Sequence, residues 1–204
     1  MARVYDRIAP LYDWLEAPME VMGGGARRRR VIERAQGPTL EVGVGTGRNF
    51  PLYWEGVQLT AVDISARMLG RARRRGETLG RRVELVRAAA EALPFRDGTF
   101  ATVTATCVFC SVEDPVRGLE EVRRVLRPDG RLLLLEHVRP TNRVLAKLFD
   151  LLSPLTRRIL GPEINRRTEA NVAAAGLEIA HVRRDGIWRE IVARSLGPSQ
   201  RHLG

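Results

Sequence analysis

Lysine is almost absent: among 34 lysines and arginines, Lys147 is the one lysine. The formal charge of +10 is therefore an arginine charge, and it reads as a codon-composition effect. The arginines at 27–30, between 71 and 75, and at 81–82 fall on helical stretches with acids nearby. They read as solvated helix faces, with anionic lipid and nucleic acid kept as alternatives. Two cysteines exclude a disulfide framework. No apolar run reaches the length of a membrane span. The first residues lack the apolar core of a signal peptide, so a cytoplasmic protein is expected, with peripheral membrane contact left open. His137, His181 and His202 have no ligand spacing, so no metal is expected. At 204 residues and 44% hydrophobic composition the chain can bury one sizeable core.

What is present is a glycine turn. Thr39-Leu40-Glu41-Val42 has the character of a short buried strand, and Gly43, Gly45 and Gly47 follow at alternate positions. A helix is expected from about Arg48. Glycine tolerates positive φ and lets a ligand approach the backbone, and a helix behind the turn offers free N–H groups. The dinucleotide fingerprint needs a third glycine at 48, where the chain has Arg48. A second acid, Asp63, ends the next apolar run, Leu59–Val62. That is where a ribose diol is bound in doubly wound folds. An adenosine-type ligand follows, with no need for a pyrophosphate.

From Thr39 onward strand and helix alternate. Strands are expected at Leu59–Val62, Val83–Val86, Thr99–Thr106 and Arg131–Leu135. Ser65 is a plausible N-cap, and Asp114-Pro115 opens a helix to about Leu126. Arg127-Pro128-Asp129-Gly130 reads as a turn. Before the first strand, Gly23-Gly24-Gly25 reads as a flexible break and Ala26–Ala35 as a helix. Residues 138–176 read as mostly helical, with Gly176 closing the last helix. Leu177–Arg183 and Ile187–Arg194 read as a hairpin across Asp185-Gly186. The rhythm predicts an α/β fold, a Rossmann-like, doubly wound, mostly parallel sheet of seven strands with a C-terminal antiparallel hairpin. Residues 1–36 would form a helical cap, and 37–204 the cofactor domain with a lid at about 138–165. Cys107-Val108-Phe109-Cys110 reads as packing or cavity lining. At the end of strand five, Glu136-His137-Val138 holds the best base candidate, His137; a capping or packing role is the alternative.

The E-x-G-x-G-x-G pattern with an acid after strand two resembles the class I S-adenosylmethionine-dependent methyltransferases. The resemblance implies that Glu41, Gly43, Gly45 and Gly47 hold the methionine part of S-adenosyl-L-methionine. It implies that Asp63 takes the ribose, that Ile64 and Met68 lie beside the adenine, and that Thr106 and Cys107 lie against the methionine part. The product would be S-adenosyl-L-homocysteine. Ala88–Phe95 matches the family's G-D-A-E-x-L-P-F stretch, but Ala89 replaces its adenine-binding aspartate. The Ala90 backbone and Glu91 would serve instead. The N-terminal Y-D-x-x-A-x-x-Y-D pattern resembles quinone-biosynthesis C-methyltransferases and phosphatidylethanolamine N-methyltransferases, which implies that Tyr5 and Tyr12 line the substrate cavity, with packing of Tyr5, Tyr12 and Trp14 on the core as the alternative; His137, at the end of strand five, is expected to line it too. The run Thr106–Val138 and the segment Gly161–Thr168 resemble the membrane-associated thiol methyltransferases.

The expected activity is methyl transfer to a small or lipid-like acceptor: a quinone precursor, a phospholipid amine or a thiol. Two alternatives stand beside it. One is an NAD-dependent oxidoreductase. The other is a nucleic-acid- or lipid-binding module on a degenerate methyltransferase scaffold. DNA is not an expected partner, and the expected state is monomer or homodimer.

Overall fold

The computed structural model describes residues 5–7, 9, 23–137 and 168–195. Helix α1 spans Gly25–Ile32 and leads into strand β1, Pro38–Val42. Then follow β2 (Gln58–Asp63), α2 (Ala66–Thr78), β3 (Glu84–Arg87), β4 (Phe100–Thr106) and α3 (Pro115–Val125). The C-terminal part is β5 (Leu126–His137), α4 (Thr168–Ala174), β6 (Leu177–Asp185) and β7 (Trp188–Ser195). The strands form one seven-stranded sheet in the order β3-β2-β1-β4-β5-β7-β6. The first five pair in parallel, and β7 runs antiparallel to β5 and β6. The order reverses between β1 and β4, which opens a crevice at the carboxyl ends of those strands.

Side-chain alternation splits the core into two layers. Leu40, Val42, Val103, Ala105, Leu132 and Leu134 pack with Leu119 and Val122 of α3. Leu59, Ala61, Leu133 and Leu135 pack on the other face with Val31, Ile32 and Ala72 of α1 and α2. Burying each such leucine contributes about 2 kcal/mol. The apolar run of β5 is thus read on both faces, as a central strand requires.

The local chemistry of the caps is as expected. Ser65 Oγ accepts the Met68 N–H and Asp114 accepts the Arg117 N–H, each satisfying a free helix-start amide. Gly176 closes α4 in the left-handed region, at φ +73°.

Three expectations need correction. No helix begins at Arg48; the segment makes a turn and one 3-10 turn at Phe50–Leu52. Pro51 offers no N–H, Tyr53 returns to extended backbone, and the Asn49 side chain is spent on Glu41. Residues 127–130 are extended within β5, with a register shift opposite Phe100 and Thr102, instead of a separate turn. Gly23 and Gly24 form a π turn that feeds α1, so the triple glycine is wound into structure. The expected lid at 138–165 and Tyr12 lie outside the described residues.

Candidate cofactor site

A cavity of about 440 Å³ lies at the carboxyl ends of β1, β2 and β4. Its floor is Val42 and Gly43 on one side and Val62 and Asp63 on the other. A larger hollow of about 810 Å³ sits at the opposite, amino ends of the strands. It lacks the switch-point position and the glycine turn, so the smaller cavity is the candidate site.

The glycine turn is held by the neighbouring strand. Val44 N–H donates to the Val62 carbonyl at 3.0 Å. Gly45 N–H donates to Asp63 Oδ2 at 2.8 Å, and Ser65 N–H to Oδ1 at 2.9 Å. Asp63 thereby ties the turn to the start of α2 and still has acceptor capacity toward the cavity. Burial pushes its carboxyl above the ordinary range, against the pull of those amides. Gly43 stands at φ +67°, and a Cβ there would lie 2.5 Å from a Val108 methyl. Gly47 stands at φ +79°, with the Phe50 ring 2.6 Å from such a Cβ. Both glycines thus pack on the protein itself, Gly43 against Val108 of the cavity lining and Gly47 against Phe50.

The segments that follow β3 and β4 complete the wall. Arg124 holds the 93–97 loop by donating to the Leu93 and Phe95 carbonyls at 2.9 and 2.7 Å, and it pairs with Glu121. Glu121 accepts the Leu93 N–H at 2.9 Å. These bonds fix the end of the Ala88–Glu91 wall, where Ala89 brings no carboxylate. Glu91 accepts the Asp114 N–H at 3.3 Å, joining this wall to the cap of α3. Tyr5 reaches the cavity because its neighbour Asp6 docks on the start of α2. Asp6 Oδ1 accepts from Ser65 Oγ and, at 3.2 Å, from the Arg67 N–H. The Ser65 hydrogen bond, first among several contacts, lowers the Asp6 carboxyl below its usual range.

The structure brings together Gly43, Gly45, Asp63, Ile64, Met68, Ala90, Glu91, Thr106, Cys107 and Tyr5 around this cavity. Glu41, Gly47 and His137 are not among its lining. Glu41 is 1% exposed and sits beneath the turn, on the α1 side of the sheet. Asn49 Nδ2 donates to Glu41 Oε1 at 2.7 Å and Tyr53 Oη to Oε2 at 3.2 Å. Arg28 joins the group by donating to Asn49 Oδ1 and Thr106 Oγ1 at 3.0 and 2.7 Å. Burial pushes the Glu41 carboxyl up to about 7 and the Tyr53 hydroxyl well above its usual value.

His137 pairs in register with Trp188 of β7 and meets its ring edge-to-face at 6.3 Å. It follows Leu133 and Leu135 to the α1 side, away from the cavity wall. Burial lowers its pKa, against a backbone hydrogen bond that favours the charged ring. Glu136 takes the opposite face and accepts the Val108 and Phe109 amides.

Sequence reasoning missed Arg28, Asn49 and Tyr53, and also the stretch from Ser111 to Arg117 that walls the far end. Arg28 was hidden in a run of four arginines. Only its burial, at 8% exposure, separates it from its solvated neighbours.

The switch-point cavity, the glycine turn without a dinucleotide spacing, the acid after β2 and the antiparallel β7 together define the S-adenosylmethionine-dependent methyltransferase class. A family model described as a methyltransferase domain matches residues 40–134. The chain is 33% identical over 180 residues to the ubiquinone/menaquinone biosynthesis C-methyltransferase UbiE of Hahella chejuensis, covering 83% of this chain and 72% of that one. It is 42% identical over 115 residues to a phosphatidylethanolamine N-methyltransferase of Cereibacter sphaeroides, covering 54% and 57%. Among solved structures, a SAM-dependent methyltransferase of Thermotoga maritima superposes with a TM-score of 0.73 at 21% identity, over 96% of this chain and all of that one. The YcgJ protein of Bacillus subtilis gives 0.66 at 27% identity, over 79% and 70%. The chain belongs to the S-adenosylmethionine-dependent methyltransferases, and its cofactor is S-adenosyl-L-methionine. Among the described residues no helix is long and apolar enough to cross a membrane.

Proposed function

We propose that this methyltransferase acts on a small, lipid-like acceptor of the quinone-precursor or phospholipid-amine kind, with a thiol as the third chemistry to test. The observation that carries the reading is the make-up of the wall near Thr106. Cys107 and Val108 stand there, Tyr5 lines the same cavity, and His137, at the end of β5, is not among the lining. A wall of that kind suits an apolar acceptor. The names of the relatives point the same way: one is a quinone-biosynthesis C-methyltransferase, another a phosphatidylethanolamine N-methyltransferase.

Gly43, Gly45, Asp63, Ile64, Met68, Ala90, Glu91, Thr106 and Cys107 would hold the cofactor. The residues fit it: Gly43, in the left-handed region, brings bare backbone to the floor, and Asp63 keeps acceptor capacity beside Gly45. Glu41 and Gly47 would act from behind, by fixing the turn. When bound, the cofactor supplies an electrophilic methyl group on sulfur. The protein's part is to orient donor and acceptor in line and to keep water out, which is positioning catalysis.

A transfer assay with the tritiated methyl donor, run over quinone precursors, phospholipid amines, thiols, other amines and RNA, tests the reading. Label in an organic-extractable quinone or lipid product is expected. Label in RNA alone, or in none of them, would remove it.

A further inference from the structure

Glu136 is wholly buried at the end of β5, on the face shared with Leu132 and Leu134. Its Oε1 accepts two successive backbone amides, Val108 N–H at 2.9 Å and Phe109 N–H at 2.8 Å. These are the amides of the chain as it leaves β4. One residue earlier, Cys107 takes φ +56°, a left-handed conformation uncommon outside glycine. The Cys107 amide is itself held by the Leu135 carbonyl at 2.7 Å. Cys107 and Val108 line the cavity, and the Val108 methyls occupy the space that a Cβ at Gly43 would need. The position of Val108 therefore sets the width of the floor between β1 and β4.

The second oxygen makes the choice of glutamate informative. Oε2 is enclosed and has no hydrogen-bond partner among the described residues. A buried acceptor left unpaired is costly, and such exceptions call for an explanation. Strained backbone held by an over-determined contact is characteristic of ligand-clamping positions. Burial pushes the carboxyl up to about 7, against the pull of the Phe109 and Val108 amides, while the Cys110 thiol donates to the Cys107 carbonyl at 3.4 Å.

We propose that Glu136 is the positioning residue for the methionine end of the cofactor: by clamping two successive amides it holds the Cys107–Phe109 turn, and so Val108, at the distance from Gly43 that admits the ligand. The inference rests on the reading of this cavity as the cofactor site. Glu136 touches neither cofactor nor acceptor. It acts through the turn.

The test uses the full chain and S-adenosylhomocysteine as the probe. Glu136→Ala is expected to raise the calorimetric Kd at least tenfold. It should raise KM for the methyl donor far more than it lowers kcat at saturation. Glu136→Gln keeps an oxygen able to accept both amides, so affinity within threefold of the parent is expected. Hydrogen exchange at Val108 and Phe109 should speed up in the alanine variant and stay protected in the glutamine variant. A folded Glu136→Ala with parental Kd and KM overturns the proposal, as does a glutamine variant as weak as alanine. If the alanine variant does not fold, the glutamine variant decides: parental Kd with protected amides supports the clamp, and parental Kd with freely exchanging amides overturns it. Asp63→Ala separates the two readings. Lost affinity there with parental Glu136→Ala sinks the clamp alone, whereas parental affinity in both sinks the cavity reading.

Discussion

Glu41 and Glu136 are both fully buried carboxylates near the cavity ends of strands, yet they sit in opposite kinds of surroundings. Glu41 faces the α1 side, and both its oxygens are engaged, by Asn49 and by Tyr53. Arg28 stands one residue further, bonded to the same Asn49. Glu136 faces the α3 side, with one oxygen doubly engaged and the other unpaired. Burial pushes both up to about 7. The difference teaches that equal burial does not mean equal purpose. A saturated carboxylate binds its surroundings into one block, whereas a half-saturated one is kept for what its single engaged oxygen holds.

Substitution by glutamine tests this directly. Glu41→Gln puts an amide donor where Asn49 and Tyr53 both offer donors, so a loss of about 2 kcal/mol is expected in urea unfolding. Glu136→Gln removes a buried charge and keeps the acceptor for both amides, so a change within about 0.5 kcal/mol is expected in the same measurement. Equal losses would erase the distinction between the two sites.

Asp63→Ala sharpens the comparison from the cavity side. It is expected to weaken S-adenosylhomocysteine binding about tenfold, or roughly 1.4 kcal/mol, by calorimetry. Glu41→Gln, measured in its folded fraction, should weaken binding less than that.

The pH dependence gives a smaller effect with a definite sign. A carboxyl whose folded pKa is raised binds more protons in the folded state between its unfolded value near 4.5 and about 7. Stability is therefore fullest below 4.5 and falls as pH rises through 7. Buried His137 works the other way: its lowered pKa makes stability rise with pH through the ordinary histidine range, near 6.5. Melting curves between pH 4.5 and 8 should decline less steeply with pH in each glutamine variant than in the parent. An unchanged slope in both would show that neither carboxyl titrates in that window.

The smallest effect is expected at His137. His137→Phe keeps an edge-to-face contact with Trp188, so turnover should stay within about twofold in initial-rate assays, the scale of a surface-like perturbation. A collapse of turnover with cofactor affinity kept would restore His137 as the base and make β5 carry chemistry on both faces.

Much of the frame was legible in the chain itself. The strand that runs into Gly43, the acid at Asp63, the Ser65 cap, the Gly176 stop and the terminal hairpin all depend on contacts between near neighbours. Glycine conformation, capping and turn chemistry are set within a few residues, so the sequence states them openly. The helix expected at Arg48 failed because Asn49 had a stronger use, in a bond to Glu41 that propensity does not contain. The site was legible only in part for the same reason. Asp63 ends β2, and Ile64 and Met68 of the next turn of chain into α2 reach the cavity with it. Arg28 meets Thr106 across 78 residues of chain, and nothing in a run of arginines distinguishes the one that is buried. Glu136 and His137 are adjacent in sequence, and pKa alone favoured His137 as the strand-end base. Which of them turns to the face of the Val108 and Phe109 amides was decided by the register of β5 between β4 and β7. Alternation fixes that neighbours point apart, but only packing of the whole sheet fixes which way each one points.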